Sequence, residues 1–74
     1  MEEFVKKFAE LFDDTDKSVF TSQTKFKELD EWSSLTALAL ISMIDEEYDV
    51  TIKGDDIRDS ASIEDLYNII KSKI

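Results

Sequence analysis

Residues that make tight turns are almost absent from this chain: glycine occurs once, at Gly54, and proline does not occur at all. A β-sandwich or a β-barrel needs many turns, and glycine and proline are the residues that build them. A chain of 74 residues also has room for one hydrophobic core and no second one. The sequence therefore predicts a single all-α domain over residues 1–74.

Two residue types that carry much of protein chemistry are missing, since the chain has no cysteine and no histidine. Disulfides, thiolate nucleophiles, histidine bases and the usual zinc-ligand sets are therefore excluded. Asp14, Asp16 and Ser18 have the spacing of the first ligands in an EF-hand. The glycine position of that loop is Val19, however, and its closing glutamate position is Lys25. We expect neither an enzyme nor a metal site.

Acidic residues outnumber basic ones by 18 to 9, which gives a formal net charge of −9. Such a surface repels phosphate backbones and anionic lipids, and it attracts proteins with basic patches. The chain opens on Met1-Glu2-Glu3, which is acidic where a signal peptide is basic. Its longest uncharged run, Trp32 to Ile44, has 13 residues, too few to cross a bilayer. We expect a cytoplasmic monomer that binds neither nucleic acid nor membrane.

Apolar spacing predicts a small four-helix bundle. The expected helices run from Glu2 to Asp13, from Ser34 to Tyr48 and from Ile63 to Ile74. The segment from Gly54 to Arg58 is expected to be a turn that enters a short third helix. Ser62 and Asp65 fit a capping box at the start of the last helix. A long polar loop over residues 14–28 joins the first two helices, and we expect Phe20, Phe26 and Leu29 to anchor it to the core.

The second helix is more apolar than a surface helix requires, because one apolar stripe is sufficient. Ala37, Ile41 and Ile44 form such a stripe, and Leu35 and Leu38 lie largely outside it. These two leucines are either buried in a helix that is covered on most sides or exposed as a docking patch beside acidic residues. Periodicity alone favours burial.

Ser33 and Ser34 stand where the loop becomes the second helix. Ser33 is a good helix N-cap, and a residue in the first turn lies near unpaired N–H groups that favour a phosphate. By themselves, two serines in this place indicate no more than capping.

The run from residue 29 to residue 70 resembles the core of the acyl carrier protein family. The matching segments are Ser33-Ser34-Leu35, Leu40-Ile41, Ile44, Asp45-Glu46-Glu47-Tyr48, Val50-Thr51-Ile52 and Ser62-Ile63-Glu64-Asp65-Leu66. In one departure from the pattern, Ser33 stands where the family usually has Asp before the modified serine.

The resemblance implies that Ser34 carries 4′-phosphopantetheine, attached covalently by a phosphopantetheinyl transferase that uses coenzyme A. The arm would hold acyl or aminoacyl groups as thioesters, and enzymes that load and transfer those groups would dock through basic patches. Two sets of positions match the family's partner contacts and chain-sheltering cavity: Leu35, Leu38, Asp45, Glu46 and Glu47 for the first, and Leu40, Ile41, Ile44 and Ile63 for the second. An acidic helical adaptor, or a diverged carrier that is not modified, stays open as the alternative.

Overall fold

The computed structural model describes all residues, 1–74, and contains four α-helices and no strand. The helices are α1 (Glu2–Ala9), α2 (Ser34–Tyr48), α3 (Gly54–Arg58) and α4 (Ile63–Lys73), with 3₁₀ turns at Lys17–Val19 and Phe26–Glu28 between α1 and α2. The prediction of a small four-helix bundle with a long first loop and a short third helix is confirmed. None of its helices combines the length and the apolarity needed to cross a membrane.

One hydrophobic core joins all four helices and the long loop through 14 buried side chains. Phe8 of α1 lies among the aromatic rings of this core, with its ring centroid 5.1 Å from that of Phe26 and 5.8 Å from that of Phe12. Phe20 contacts the same group, with its centroid 5.1 Å from that of Phe12. The two loop phenylalanines are therefore part of the core, as predicted, and they hold the loop against α1.

Helix α1 ends at Ala9, four residues before the predicted end at Asp13. Beyond Ala9 the backbone bonds tighten to the i→i+3 type, from Leu11 N–H to Phe8 O at 3.1 Å and from Phe12 N–H to Ala9 O at 3.1 Å. Lys17 Nζ then donates to Ala9 O at 2.8 Å. Ala9 O thus accepts from two donors. The predicted end of α1 was wrong, and Phe12, beyond the observed end, is still buried.

The long loop also fixes the two C-terminal helices. Ile63 N–H donates to Thr24 O at 3.1 Å and Glu64 N–H to Ser22 O at 2.9 Å, which satisfies the first free donors of α4. Ser62 Oγ accepts from Asp65 N–H at 3.3 Å and completes the predicted capping box. The loop therefore determines where α4 begins relative to α1 and α2.

Candidate functional site

The start of α2 is built on Ser33, which has extended backbone angles (φ −154°, ψ 175°) and is the helix N-cap. Its Oγ accepts from Thr36 N–H at 3.4 Å, and its carbonyl accepts from Ala37 N–H at 3.0 Å. Thr36 Oγ1 in turn donates to Glu31 O at 3.0 Å. Hydrogen bonds therefore join the first turn of α2 both to Ser33 and to Glu31 in the segment before the helix.

Ser34 is the first residue of α2, and its side chain is exposed. The backbone N–H groups of a first helical turn have no partners within the helix, and the helix dipole places partial positive charge there. A phosphodiester formed on the Ser34 hydroxyl would lie in this favourable field. The hydroxyl of Ser33 is engaged in the cap, so the two neighbouring serines differ in what they can do.

An open groove of about 720 Å³ runs from the start of α2 across to α3. Its lining is partly apolar and partly charged, and it consists of Lys27, Trp32, Ser33, Ser34, Ala37, Leu38, Ile41, Gly54, Ile57 and Arg58. Ser34 lies at this groove, so a group attached to its hydroxyl has an apolar surface within reach. The sequence pattern did not reveal the groove, because residues from the loop, α2 and α3 come together only in the folded chain.

The positions that the resemblance implies as the lining of a chain-sheltering cavity are mostly closed in this structure. Leu40, Ile44 and Ile63 have no exposed surface and belong to the hydrophobic core. Ile41 is the single member of the expected set that lines the groove. A cavity formed by opening of this core stays a prediction.

The sequence profile of the family described as phosphopantetheine attachment site matches residues 2–70. The chain belongs to this family of carrier proteins. In that family the domain is the site at which 4′-phosphopantetheine is covalently attached. No curated protein and no solved structure matches the chain. The groove and the exposed first turn of α2 provide room for such an arm in this carrier.

The outer face of α2 in this carrier exposes two large apolar side chains, with Leu35 77 % and Leu38 61 % exposed. The burial that periodicity favoured for these leucines is therefore wrong. Periodicity counts apolar positions, and it does not report how many sides of a helix are covered by neighbours. Helical spacing places Leu35 on the same side as Ser42 and Glu46, which are also exposed.

The three consecutive acids of α2 are all exposed, but they have different surroundings. Glu47 forms an ion pair with Lys7 of α1, and Lys7 also lies 3.4 Å from Glu3. The hydrogen bond that Lys7 donates to the Glu47 carboxylate raises the pKa of Lys7. Asp45 and Glu46 form no ion pair, so their negative charge is the part of this set that remains available to another molecule.

Glu31 joins the long loop to the segment before α2, a role that sequence spacing did not indicate. Its carboxylate accepts from Thr15 Oγ1 and, at 3.0 Å, from Asp14 N–H. The hydrogen bond from Thr15, with help from the backbone N–H groups, lowers the pKa of Glu31. Seventeen positions separate Asp14 from Glu31, and no local pattern marks such a contact. Glu31 thus holds the segment that leads into α2 against the long loop.

Proposed function

We propose that this protein is an acyl carrier protein whose Ser34 holds the 4′-phosphopantetheine arm. The observation that carries this proposal is the exposed Ser34 hydroxyl in the first turn of α2, within the residues that the family profile matches. When attached, the arm supplies a terminal thiol that binds acyl or aminoacyl groups as thioesters. The chain from residue 1 to residue 74 acts as one unit in this proposal.

Attachment makes one bond at Ser34 and breaks one in the donor. The Ser34 Oγ bonds to the phosphorus of the pantetheine phosphate, the pyrophosphate bond of coenzyme A breaks, and adenosine 3′,5′-bisphosphate leaves. In this proposal the hydroxyl proton passes to a base of the transferase, since the chain itself has no histidine. The first turn of α2 then stabilises the resulting phosphodiester charge.

The partner surface in this proposal is the outer side of α2. Leu35 and Leu38 offer a small apolar contact, and Asp45 and Glu46 add unpaired negative charge beside it. Glu47 contributes through its pair with Lys7, which holds this side of α2 against α1. Opposite charges speed an encounter, and a small apolar contact allows rapid release. This combination suits a phosphopantetheinyl transferase and the enzymes that load and transfer the cargo, each with a basic patch.

The carrier itself performs no chemistry on its cargo in this proposal. Proteins of this family are in general carriers without catalytic activity. The chain also has neither the cysteine nor the histidine of Cys-His and Ser-His nucleophile pairs. Reaction of the thioester is therefore assigned to the partner enzymes.

Incubation with coenzyme A, magnesium and a broad-specificity transferase tests the attachment residue. The intact mass should increase by one phosphopantetheine group, and Ser34→Ala should abolish the increase. Ser33→Ala is the matched control, because it removes the neighbouring hydroxyl and should leave the mass increase in place. A well-folded wild-type protein whose mass does not change would instead favour the acidic adaptor. Modification that survives in Ser34→Ala would show that another hydroxyl is used.

A further inference from the structure

We infer that Lys27 binds the phosphate group of the arm on Ser34 and so holds the base of the arm on the groove side of α2. This inference rests on the proposed function, since it takes Ser34 as the residue that carries the arm. The group that Lys27 binds is the phosphodiester bonded directly to Ser34 Oγ, whereas the thiol and its cargo lie at the far end of the arm.

The groove at Ser34 is a cationic part of an acidic molecule. The chain has 18 acidic and 9 basic residues, yet the lining of the groove includes Lys27 and Arg58 and no acidic residue. Ser33 contributes to this difference, because it is neutral where the family pattern usually has Asp. An anionic group on Ser34 therefore meets side chains that attract it on the groove side.

Lys27 differs from the other basic residues in being partly buried without a counter-charge. Lys7 and Lys27 are the two half-buried residues among the nine lysines and arginines. Lys7 forms ion pairs with Glu3 and Glu47, whereas Lys27 forms none. A cation that is partly removed from water is stabilised by a nearby anion. The chain itself supplies no such anion to Lys27, and the phosphodiester on Ser34 would supply one.

The backbone of α3 holds the Lys27 ammonium group at the groove. Lys27 Nζ donates to Arg58 O at 2.9 Å, and this bond occupies one of the three N–H donors of a lysine ammonium group. A phosphate oxygen can accept from another of these donors while the bond to α3 is kept. Arg58, the second cation of the lining, is exposed and already pairs with Asp55 at 3.0 Å. Lys27 is therefore the more available of the two cations.

Urea unfolding of the apo and the modified carrier tests the inference, because the phosphate is present in only one of them. Each protein gives a factor by which attachment of the arm changes the unfolding equilibrium constant. This factor should favour folding about two- to fivefold more in the wild type than in Lys27→Gln, as expected for a partly exposed ion pair. A purely structural role of Lys27 would destabilise the apo and modified forms equally, and the factor would not change.

Lys25→Gln is the matched control, because Lys25 lies in the same loop, is exposed and does not line the groove. It removes the same charge, and it should keep the wild-type factor. Lys27→Arg retains the cation and should keep most of the factor, and the difference between wild type and Lys27→Gln should shrink as salt is added. Equal changes in Lys25→Gln and Lys27→Gln would assign the effect to net charge and overturn the inference.

A measurement on the wild-type protein serves if Lys27→Gln does not fold. In protein whose lysines carry ¹³C at Cε, attachment of the arm should shift the NMR signal of Lys27 and leave that of Lys25 in place. Lys27→Arg identifies the first signal by removing it. Complete modification at Ser34 without a shift of the Lys27 signal would overturn the inference alone. No increase in intact mass, or an increase that persists in Ser34→Ala, would instead overturn the proposed function.

Discussion

Ser33 and Ser34 are identical neighbours, but they occupy different positions at the start of α2, and their hydroxyl groups therefore have different roles. Ser33 has extended backbone angles, and its hydroxyl oxygen accepts from Thr36 N–H. Ser34 is the first residue of the helix, and its side chain is exposed. In the family pattern an aspartate occupies the position of Ser33. Both residue types accept a hydrogen bond from the first turn, so the exchange preserves the cap and removes a negative charge next to the proposed attachment residue.

Replacement of each serine by alanine should separate the two tasks in stability as well as in modification. Ser33→Ala should lower the free energy of unfolding by about 0.5–1 kcal/mol, the lower part of the range for lost N-caps, because the cap bond is long at 3.4 Å and exposed. Ser34→Ala should change it by less than about 0.5 kcal/mol, as for other exposed positions. Urea unfolding followed by circular dichroism measures both, and equal losses would contradict the assignment of the cap to Ser33.

Among the helices, α4 has the most complete N-terminal cap. Asp65 accepts from Ala61 N–H at 3.0 Å and from Ser62 N–H at 3.1 Å, while Ser62 Oγ accepts from Asp65 N–H at 3.3 Å. The two backbone donors, that of Ala61 foremost, lower the pKa of Asp65. A carboxylate with a lowered pKa stabilises the folded state above its unfolded pKa, and this stabilisation is lost as the pH falls through the folded value.

Asp65→Asn should therefore make the stability of the carrier less sensitive to acid. The amide oxygen can still accept from the two N–H groups, but it does not titrate, so the fall in unfolding free energy below about pH 4 should become shallower. Glu64→Gln removes the same charge from the adjacent position, whose side chain forms no ion pair, and should keep the wild-type slope. Urea unfolding at a series of pH values measures these slopes. The same slope in all three proteins would rule out Asp65 as a source of the acid sensitivity.

The boundaries of α2 and α4 could be predicted because their start signals, Ser33 and the Ser62–Asp65 box, are local. The end of α1 could not, because no glycine, proline or asparagine marks it and the apolar spacing continues to Phe12. At that end Lys17 Nζ donates to Ala9 O from the following loop. Contacts of this kind arise from the tertiary fold, and a helical period carries no signal of them.

The same limit applies to the site. Ser34 could be proposed from the resemblance, which is a property of the local sequence, whereas its place at the helix start alone indicates no more than capping. The exposure of Leu35 and Leu38 and the groove at Ser34 depend on how the helices are arranged. An uncharged run predicts that a helix contacts something apolar, and it leaves open whether that is the chain's own core or another molecule.

At the scale of the whole molecule, the exposed acidic residues differ in whether a basic side chain neutralises their charge. Lys7 neutralises Glu47 and connects α1 to α2, and its ammonium also lies 6.0 Å from the ring centroid of Tyr48. Glu46 has no such partner and shares the outer face of α2 with Leu35. The field that an approaching basic protein meets beside the proposed docking surface therefore comes from Glu46 and Asp45 more than from Glu47.

Charge reversal at two adjacent positions should expose this difference, because Glu46→Lys and Glu47→Lys change the net charge by the same amount. Glu46→Lys should slow modification by the transferase by up to about tenfold at low salt and weaken the dependence of that rate on ionic strength. Glu47→Lys should slow it less and should instead lower the free energy of unfolding, since it places a second cation against Lys7. Initial rates of coenzyme A consumption over a salt series, with urea unfolding of both variants, measure the two effects. If both variants slowed the reaction equally, attraction by the overall charge would explain the rate, and the unpaired acids on the outer face of α2 would have no special part in docking.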